Sequence, residues 1–368
     1  MSKKILILVG TGAMGIYVTQ YASQMPGCQV FVTSRSARPS AENVNYLCGN
    51  AHDISFLQQT LKQIKPDAVI DFMLWTTKEF ETVCPVFLAN TSQYLFVSSY
   101  RVFAEQNPLT ENSPRLLDVC KDSAYLQTDE YALAKARQEN ILRQSGKTNW
   151  TIVRPSITFS TYRFQLGCLE ASTVCFRSLH NLPVPIPSEM LDKQTTLTWA
   201  GDVAVLLCRL LFNPQAYGED FNVVTAEHHT WREIAGYYHK FIGTKIQEIS
   251  LQDYIDMLGV PWQTKYDRMF DRILDNRKVL AATGIKQTDF TTLEEGLKKE
   301  LEQFMKKPKL TPNMILNARM DRLSNTKTPL SNQTFANRVR YYLARYPKLE
   351  YLIPRKFIKN IVGRIKKK

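Results

Sequence analysis

Near its start the chain carries five consecutive apolar residues, Ile5-Leu6-Ile7-Leu8-Val9, that run directly into Gly10-Thr11-Gly12-Ala13-Met14-Gly15. An unbroken aliphatic run bounded by glycine predicts a strand covered on both faces, and such a strand belongs in a parallel sheet joined by crossover helices. Residues 16–24 then take helical spacing, and residues 29–33 read as a second strand. Gly49-Asn50-Ala51-His52-Asp53, a helix over 54–64 and the run 66–72 read as a third strand, its crossover helix and a fourth strand. A helix through 80–88 leads to a fifth strand, 93–99, which ends in two serines. This alternation predicts an α/β fold with a doubly wound parallel sheet.

The glycines have a mechanical meaning at this place. Gly10 permits a turn, Gly12 lets the backbone approach a pyrophosphate, and Gly15 lets the following helix pack on the strand with its N-terminus facing the anion. Ala13 and Met14 complete that turn. The end of the second strand decides between cofactors: an NAD site places a carboxylate there for the ribose 2′-hydroxyl. This chain has Ser34-Arg35-Ser36 instead, and Arg35 can pair with a 2′-phosphate. NADP is therefore the expected cofactor, with NAD as the alternative. Ligands of such sheets bind beyond the carboxyl ends of the strands, so Gly12, Arg35, Asn50, Phe72 and Ser99 are expected to converge, with Ser34, Ala51 and Pro155 in the same cofactor site.

Candidate chemistry lies just beyond the fifth strand. Tyr131-Ala132-Leu133-Ala134-Lys135 places a phenol and an ammonium four residues apart, one helical turn from each other on one face. An ammonium beside a phenol favours the phenolate, which can accept a proton, and the Ser99 hydroxyl can hold the reacting oxygen against it. The seven cysteines are scattered without a C-x-x-C pair, and the five histidines lack metal-ligand spacing, so neither a disulfide framework nor a metal site is expected.

Together these residues resemble the extended short-chain dehydrogenase/reductase family, in its NAD(P)-dependent epimerase/dehydratase branch acting on nucleotide sugars. The matching elements are the glycine loop, Gly49-Asn50-Ala51-His52-Asp53, Val97-Ser98-Ser99, Tyr131 and Lys135 with Glu139 after them, and Val153-Arg154-Pro155. Trp199-Ala200-Gly201-Asp202-Val203-Ala204, Phe221-Asn222-Val223, Thr230-Trp231-Arg232-Glu233 and Leu293-Glu294-Glu295-Gly296-Leu297 continue it in order. The resemblance implies that Ser99 orients the substrate, Tyr131 is the acid/base, and Lys135 binds the nicotinamide ribose. It also implies a nucleotide-sugar substrate and an epimerase reaction, with an NADPH-dependent reductase of a keto sugar or other carbonyl as the alternative. An atypical member of this fold that binds RNA is the alternative from another class, and the intact Ser99, Tyr131 and Lys135 speak against it. A 4,6-dehydratase would carry an Asp-Glu pair where this chain has Tyr100-Arg101, which demotes dehydration.

The expected organisation is a Rossmann domain over 1–160, a smaller substrate-binding lobe over 161–305 with segments returning to the core, and a basic, partly helical extension over 306–368. Arg163, Gln194 and Arg268 are placed to meet a diphosphate or sugar, while the proline-fixed segment 182–187 reads as extended. Of the net charge of +13, residues 306–368 carry 17 Lys and Arg against Asp321 and Glu350, which leaves the rest of the chain slightly negative. Two helix-compatible segments stand out there, 334–346 and 355–368, the second with Phe357, Ile358, Ile361, Val362 and Ile365 on one stripe. A basic amphipathic stretch suits an anionic membrane surface through residues 331–368, packing on the body or on a second subunit of a homodimer, or, least of the three, nucleic acid. With the first strand starting at once and no run of about 18 apolar residues, neither a secretory leader nor a membrane span is expected, and the setting is read as cytoplasmic.

Overall fold

A computed structural model of the chain describes residues 2–41 and 43–348. They form two compact units, each assembled from three stretches of chain: 1–164, 194–229 and 270–300 in the first, and 165–193, 230–269 and the stretch from 301 onward in the second.

The first unit is built on a seven-stranded sheet. Its strands are β1 (Lys3–Leu8), β2 (Cys28–Ser34), β3 (Val44–Cys48), β4 (Ala68–Asp71), β5 (Gln93–Val97), β6 (Trp150–Arg154) and β7 (Glu219–Asn222). They lie in the order β7-β6-β5-β4-β1-β2-β3, and every pairing is parallel. The apolar run of β1 is buried on both faces, as its sequence predicts. Ile5 and Ile7 face Val18 and Ala22 of α1 (Gly15–Ser23) and Val203 and Leu207 of α5 (Ala200–Leu210). Leu6 and Leu8 face Leu57 and Leu61 of α2 (Ile54–Ile64) and Phe80 and Phe87 of α3 (Thr77–Asn90). All four β1 residues are 0% exposed, and each fully buried aliphatic side chain contributes about 1.5–3 kcal/mol.

Helix starts follow local chemistry. Asp53 accepts from the Ser55 and Phe56 amides to begin α2, and Thr76 with Glu79 forms a capping box at α3. The third strand lies earlier than the sequence reading put it: Val44–Cys48 forms β3, and Gly49 to Asp53 is the loop and cap that follow. β5 stops at Val97, so Ser98 and Ser99 belong to the turn beyond it.

In the second unit the proline-fixed segment is indeed extended, as Val184–Pro187 paired in parallel with Ile246–Ile249. Around it lie the helices Ala171–Leu179, Trp231–Ile242 and Leu251–Leu258, together with α6 (Met314–Ser324) and α7 (Phe335–Arg345). α7 falls where the sequence places a helix. α6 falls in a stretch whose composition reads as polar connection. The other tail segment, 355–368, lies outside the described residues.

Candidate active site

The parallel sheet sets the site. Because all seven strands run the same way, the turns after their carboxyl ends emerge along one edge. The glycine turn follows β1, Ser34 and Arg35 end β2, Asn50 and Ala51 follow β3, Phe72 follows β4, Ser99 follows β5 and Pro155 follows β6. Every candidate for the cofactor or the catalytic step except Tyr131 and Lys135 thus lies at the end of a strand or in the turn just after it. Those two are on α4 (Tyr131–Gln144), the helix that returns the chain from β5 to β6.

Within the glycine turn the roles differ from the sequence reading at one position. The left-handed residue is Val9, with φ of 57°, not Gly10. Gly10 is needed for packing instead: a Cβ there would come within 2.8–2.9 Å of Val32, Ile7 and Thr19. At Gly15 a Cβ would lie 2.6 Å from the Gly10 Cα, so this glycine is what seats α1 against the turn. Gly12 is different again. A Cβ there would meet only the Val9 carbonyl at an ordinary 3.6 Å, so its missing side chain leaves open space over the turn. α1 has no side-chain cap and no acidic residue in its first turn, which leaves its N-terminus to an anion. Met14 is its N-cap residue, and the Ala13 carbonyl accepts from Ser160 Oγ at 3.4 Å.

At the end of β2, Ser34 is buried and its hydroxyl donates to the Ser36 carbonyl at 2.8 Å, while Arg35 is exposed. No carboxylate follows the strand before Arg38, whose guanidinium lies 5.9 Å from the Tyr46 ring. Arg38 is a second cation there that the sequence reading passed over. Ala51 is buried and Asn50 Oδ1 accepts from the His52 amide, so this loop is internally braced.

Ser99 is 5% exposed and caps a single turn, Tyr100–Val102, by accepting from the Arg101 amide at 3.2 Å. Its own proton is given to no acceptor among the described residues. The Tyr131 hydroxyl likewise makes no hydrogen bond among them, and the Arg101 guanidinium lies 5.2 Å from its ring. Pro155 is tied to this turn by its carbonyl, which accepts from the Tyr100 amide at 3.2 Å. Lys135 is 2% exposed; its Nζ donates to the Met73 carbonyl at 3.3 Å and lies 4.5 Å from the Phe96 ring. Burial brings its pKa down to about 8, with the charges of Asp71 and Glu139 opposing the drop.

Two carboxylates hold this arrangement. Glu139, one turn beyond Lys135, is fully buried and accepts from Ser98 Oγ at 2.7 Å and from Arg154 Nε and Nη2 at 2.8 and 2.9 Å. It therefore binds the turn carrying Ser99, the end of β6 and the helix carrying Tyr131 to one group. Burial alone would raise its carboxyl, yet the charge and hydrogen bonds of Arg154, with Arg143 and Ser98, hold it at about 2. Asp71 closes β4 at 0% exposure and accepts from Tyr94 Oη at 2.6 Å, Trp75 Nε1 at 2.8 Å and the Met73 amide at 2.8 Å. Burial pushes its carboxyl up, while Tyr94, Trp75 and the Lys135 charge act in the other direction. The sequence reading missed Asp71, although a carboxylate closing the strand Ala68-Val69-Ile70-Asp71 was a legible signal of a paired charge.

Other acids and cations near the motifs are structural. Glu130 caps α4 through the Ala132 amide and pairs with Arg101 at 2.6 Å, and Asp129 accepts from Thr77 and Arg137. Arg268 is 3% exposed within the second unit, donating to the Gly167 carbonyl at 2.8 Å and pairing with Asp267. It is thereby a core residue rather than a surface awaiting a diphosphate. The Gln194 amide donates to Asp271, and Arg163 forms a backbone bridge with Ser160. Among the described residues no cluster of His, Cys, Asp and Glu could hold a metal ion, and no helix is long and apolar enough to cross a membrane.

No family model matches the chain, and no curated protein matches it in sequence. Solved structures do match. An epimerase from Methanothermobacter thermautotrophicus superposes with a TM-score of 0.65 at 16% identity, over 83% of this chain and 93% of that one. A dTDP-glucose 4,6-dehydratase from Bacillus anthracis, in complex with NAD, gives 0.64 at 14% identity over 83% and 97%. The chain has the epimerase/dehydratase fold. A UDP-glucuronic acid 4-epimerase from Bacillus cereus, in complex with UDP-glucuronic acid and NAD, gives 0.64 at 12% identity over 82% and 99%. The doubly wound parallel sheet expected from the sequence is therefore the fold observed, shared with these epimerases and this dehydratase.

Proposed function

We propose that the chain is an NAD(P)-dependent enzyme that oxidises and reduces a carbinol carbon of a nucleotide-activated sugar, with Ser99, Tyr131 and Lys135 as its catalytic residues. The observation that supports this reading is that Ser99 and Tyr131 keep uncommitted hydroxyls among the described residues, with the buried Lys135 one turn after Tyr131 on α4, in a parallel sheet of this fold. Gly12, with open space over it, and the uncapped N-terminus of α1 suit a pyrophosphate, and Ala13, Met14, Asn50, Ala51, Phe72 and Pro155 would line the rest of the dinucleotide.

When bound, the nicotinamide supplies the hydride acceptor or donor. Ser99 holds the sugar oxygen. Tyr131, as the phenolate, takes the hydroxyl proton on its oxygen as the carbon is oxidised, and as the phenol returns it when the carbonyl is reduced. Lys135, held by the Met73 carbonyl, keeps a positive charge beside that exchange. Arg101, paired with Glu130 beside Tyr131, cannot serve as the acid that eliminates water, which supports epimerisation or reduction over dehydration.

Arg35 and Arg38 beyond β2 favour NADP, and with it the reductase as the second reading. Purified protein incubated with a panel of nucleotide sugars separates the two. Net consumption of NADPH marks a reductase, and interconversion of sugars without net consumption marks an epimerase. Turnover of no nucleotide sugar, together with binding of neither NAD nor NADP, contradicts the proposal. Arg35→Asp is expected to weaken NADP binding by about tenfold to a hundredfold relative to NAD, the worth of a charge-assisted hydrogen bond.

A further inference from the structure

α7 has two unlike sides. Tyr341 and Leu343 are turned inward, with Tyr341 packed among Phe176, Met314 and Ala318. Phe335, Tyr342 and Tyr346 face out at 76%, 41% and 50% exposure. Phe335 and Tyr342, seven residues apart, share one helical face with Arg338 between them, and Tyr346 is the residue at which the helix ends. The Arg345 guanidinium lies 5.7 Å from the Tyr346 ring. Single exposed aromatics are ordinary on protein surfaces, whereas two on one helix face with a third at that helix's end mark an interaction surface.

Charge says what the surface fits. Residues 306–348 carry Lys and Arg at ten positions and one acid, Asp321. That acid is 0% exposed, paired with Arg177 at 3.1 Å and accepting from Tyr341 Oη at 2.7 Å. The surface of this stretch therefore presents cations alone. Residues 349–368 add seven more against Glu350, so folding that segment over α7 would bring cation against cation. A lipid surface satisfies both features, since aromatic rings settle at the headgroup level while arginine stems reach lipid phosphates. A single convex helix offers no groove of the kind that tracks a nucleic-acid strand.

We propose that the outward face of α7, carrying Phe335, Arg338 and Tyr342, with Tyr346 at the helix end, docks the protein on an anionic lipid bilayer. This goes beyond the catalytic reading and stands without it. The test is co-sedimentation of the full chain with vesicles of phosphatidylcholine alone and of phosphatidylcholine mixed with phosphatidylglycerol. Binding is expected to the mixed vesicles, weakly or not at all to the neutral ones, and to fall as salt is added. Phe335→Ser/Tyr342→Ser/Tyr346→Ser is expected to lose about tenfold or more of that binding, and Arg338→Glu about fivefold or more, with melting temperatures unchanged. Should the aromatic variant melt early, Arg338→Glu carries the test alone. The proposal is overturned by equal binding to both kinds of vesicle, or by binding that neither variant weakens. It is equally overturned by self-association in solution that the aromatic variant dissolves, or by single-stranded RNA that displaces the protein from mixed vesicles.

Discussion

Val9 holds a φ of 57° at the mouth of the glycine turn, a left-handed backbone that a β-branched side chain adopts only under strain. Such strain is worth about 1–3 kcal/mol, against about 0.5–1 kcal/mol of extra chain entropy for a glycine. Val9→Gly is therefore expected to melt no lower than the parent, and a drop of many degrees in the thermal midpoint would show that no strain is stored there. Lys135 gives a second residue-scale expectation. Burial brings its ammonium down to about 8, and Asp71 and Glu139 are the charges that keep it from falling further. If the reaction needs that ammonium, the rate falls as pH rises through about 8. Asp71→Asn removes one opposing charge, so the alkaline limb of the pH–rate profile moves to lower pH. An unmoved limb would separate Asp71 from Lys135.

Among the elements, α4 carries the proposed acid/base Tyr131, and Glu139 ties it to two strand ends. The sequence shows Tyr131, Lys135 and Glu139 four apart, hence one face of one helix. It does not show that Ser98 and Arg154, from two different strand ends, meet on Glu139. Glu139→Gln leaves the 1%-exposed Arg154 with Asp220 as its remaining carboxylate and is expected to cost about 3 kcal/mol in urea unfolding, the low end for breaking a buried pair. The sign with pH follows from the depressed carboxyl. Its contribution is present above the ordinary carboxylate range and is lost as pH falls toward about 2, so the parent loses stability in acid that the variant never had. Equal acid sensitivity in both proteins would assign the acid transition to other groups. α6 shows the opposite limit of legibility. Its buried face includes Asn317 and Asp321, both 0% exposed, so polar residues occupy core positions and erase the apolar period. Arg177, distant in sequence, is the partner that meets both of them.

For the whole molecule, alternating strand and helix patterns were enough to anticipate a doubly wound parallel sheet, because two-sided burial leaves uninterrupted apolar runs such as that of β1. The interleaving of three stretches into each unit was not legible, since the chain crosses from one unit to the other without a composition change, as at Phe164 and Gln165. The strand-end candidates were legible as a set, because a parallel sheet delivers every β-to-α turn to one edge. What the sequence could not show is how the two hydroxyls are left: Ser99 with its proton ungiven and Tyr131 without a hydrogen-bond partner among the described residues.

That pair carries the central claim, and Tyr131→Phe tests it most directly. The measurement is turnover of a nucleotide sugar by parent and variant, alongside binding of NADP to each. Turnover is expected to fall by about 10²–10⁴-fold, the worth of a positioned acid/base, while cofactor binding persists. Turnover left intact in the Tyr131→Phe protein would contradict it.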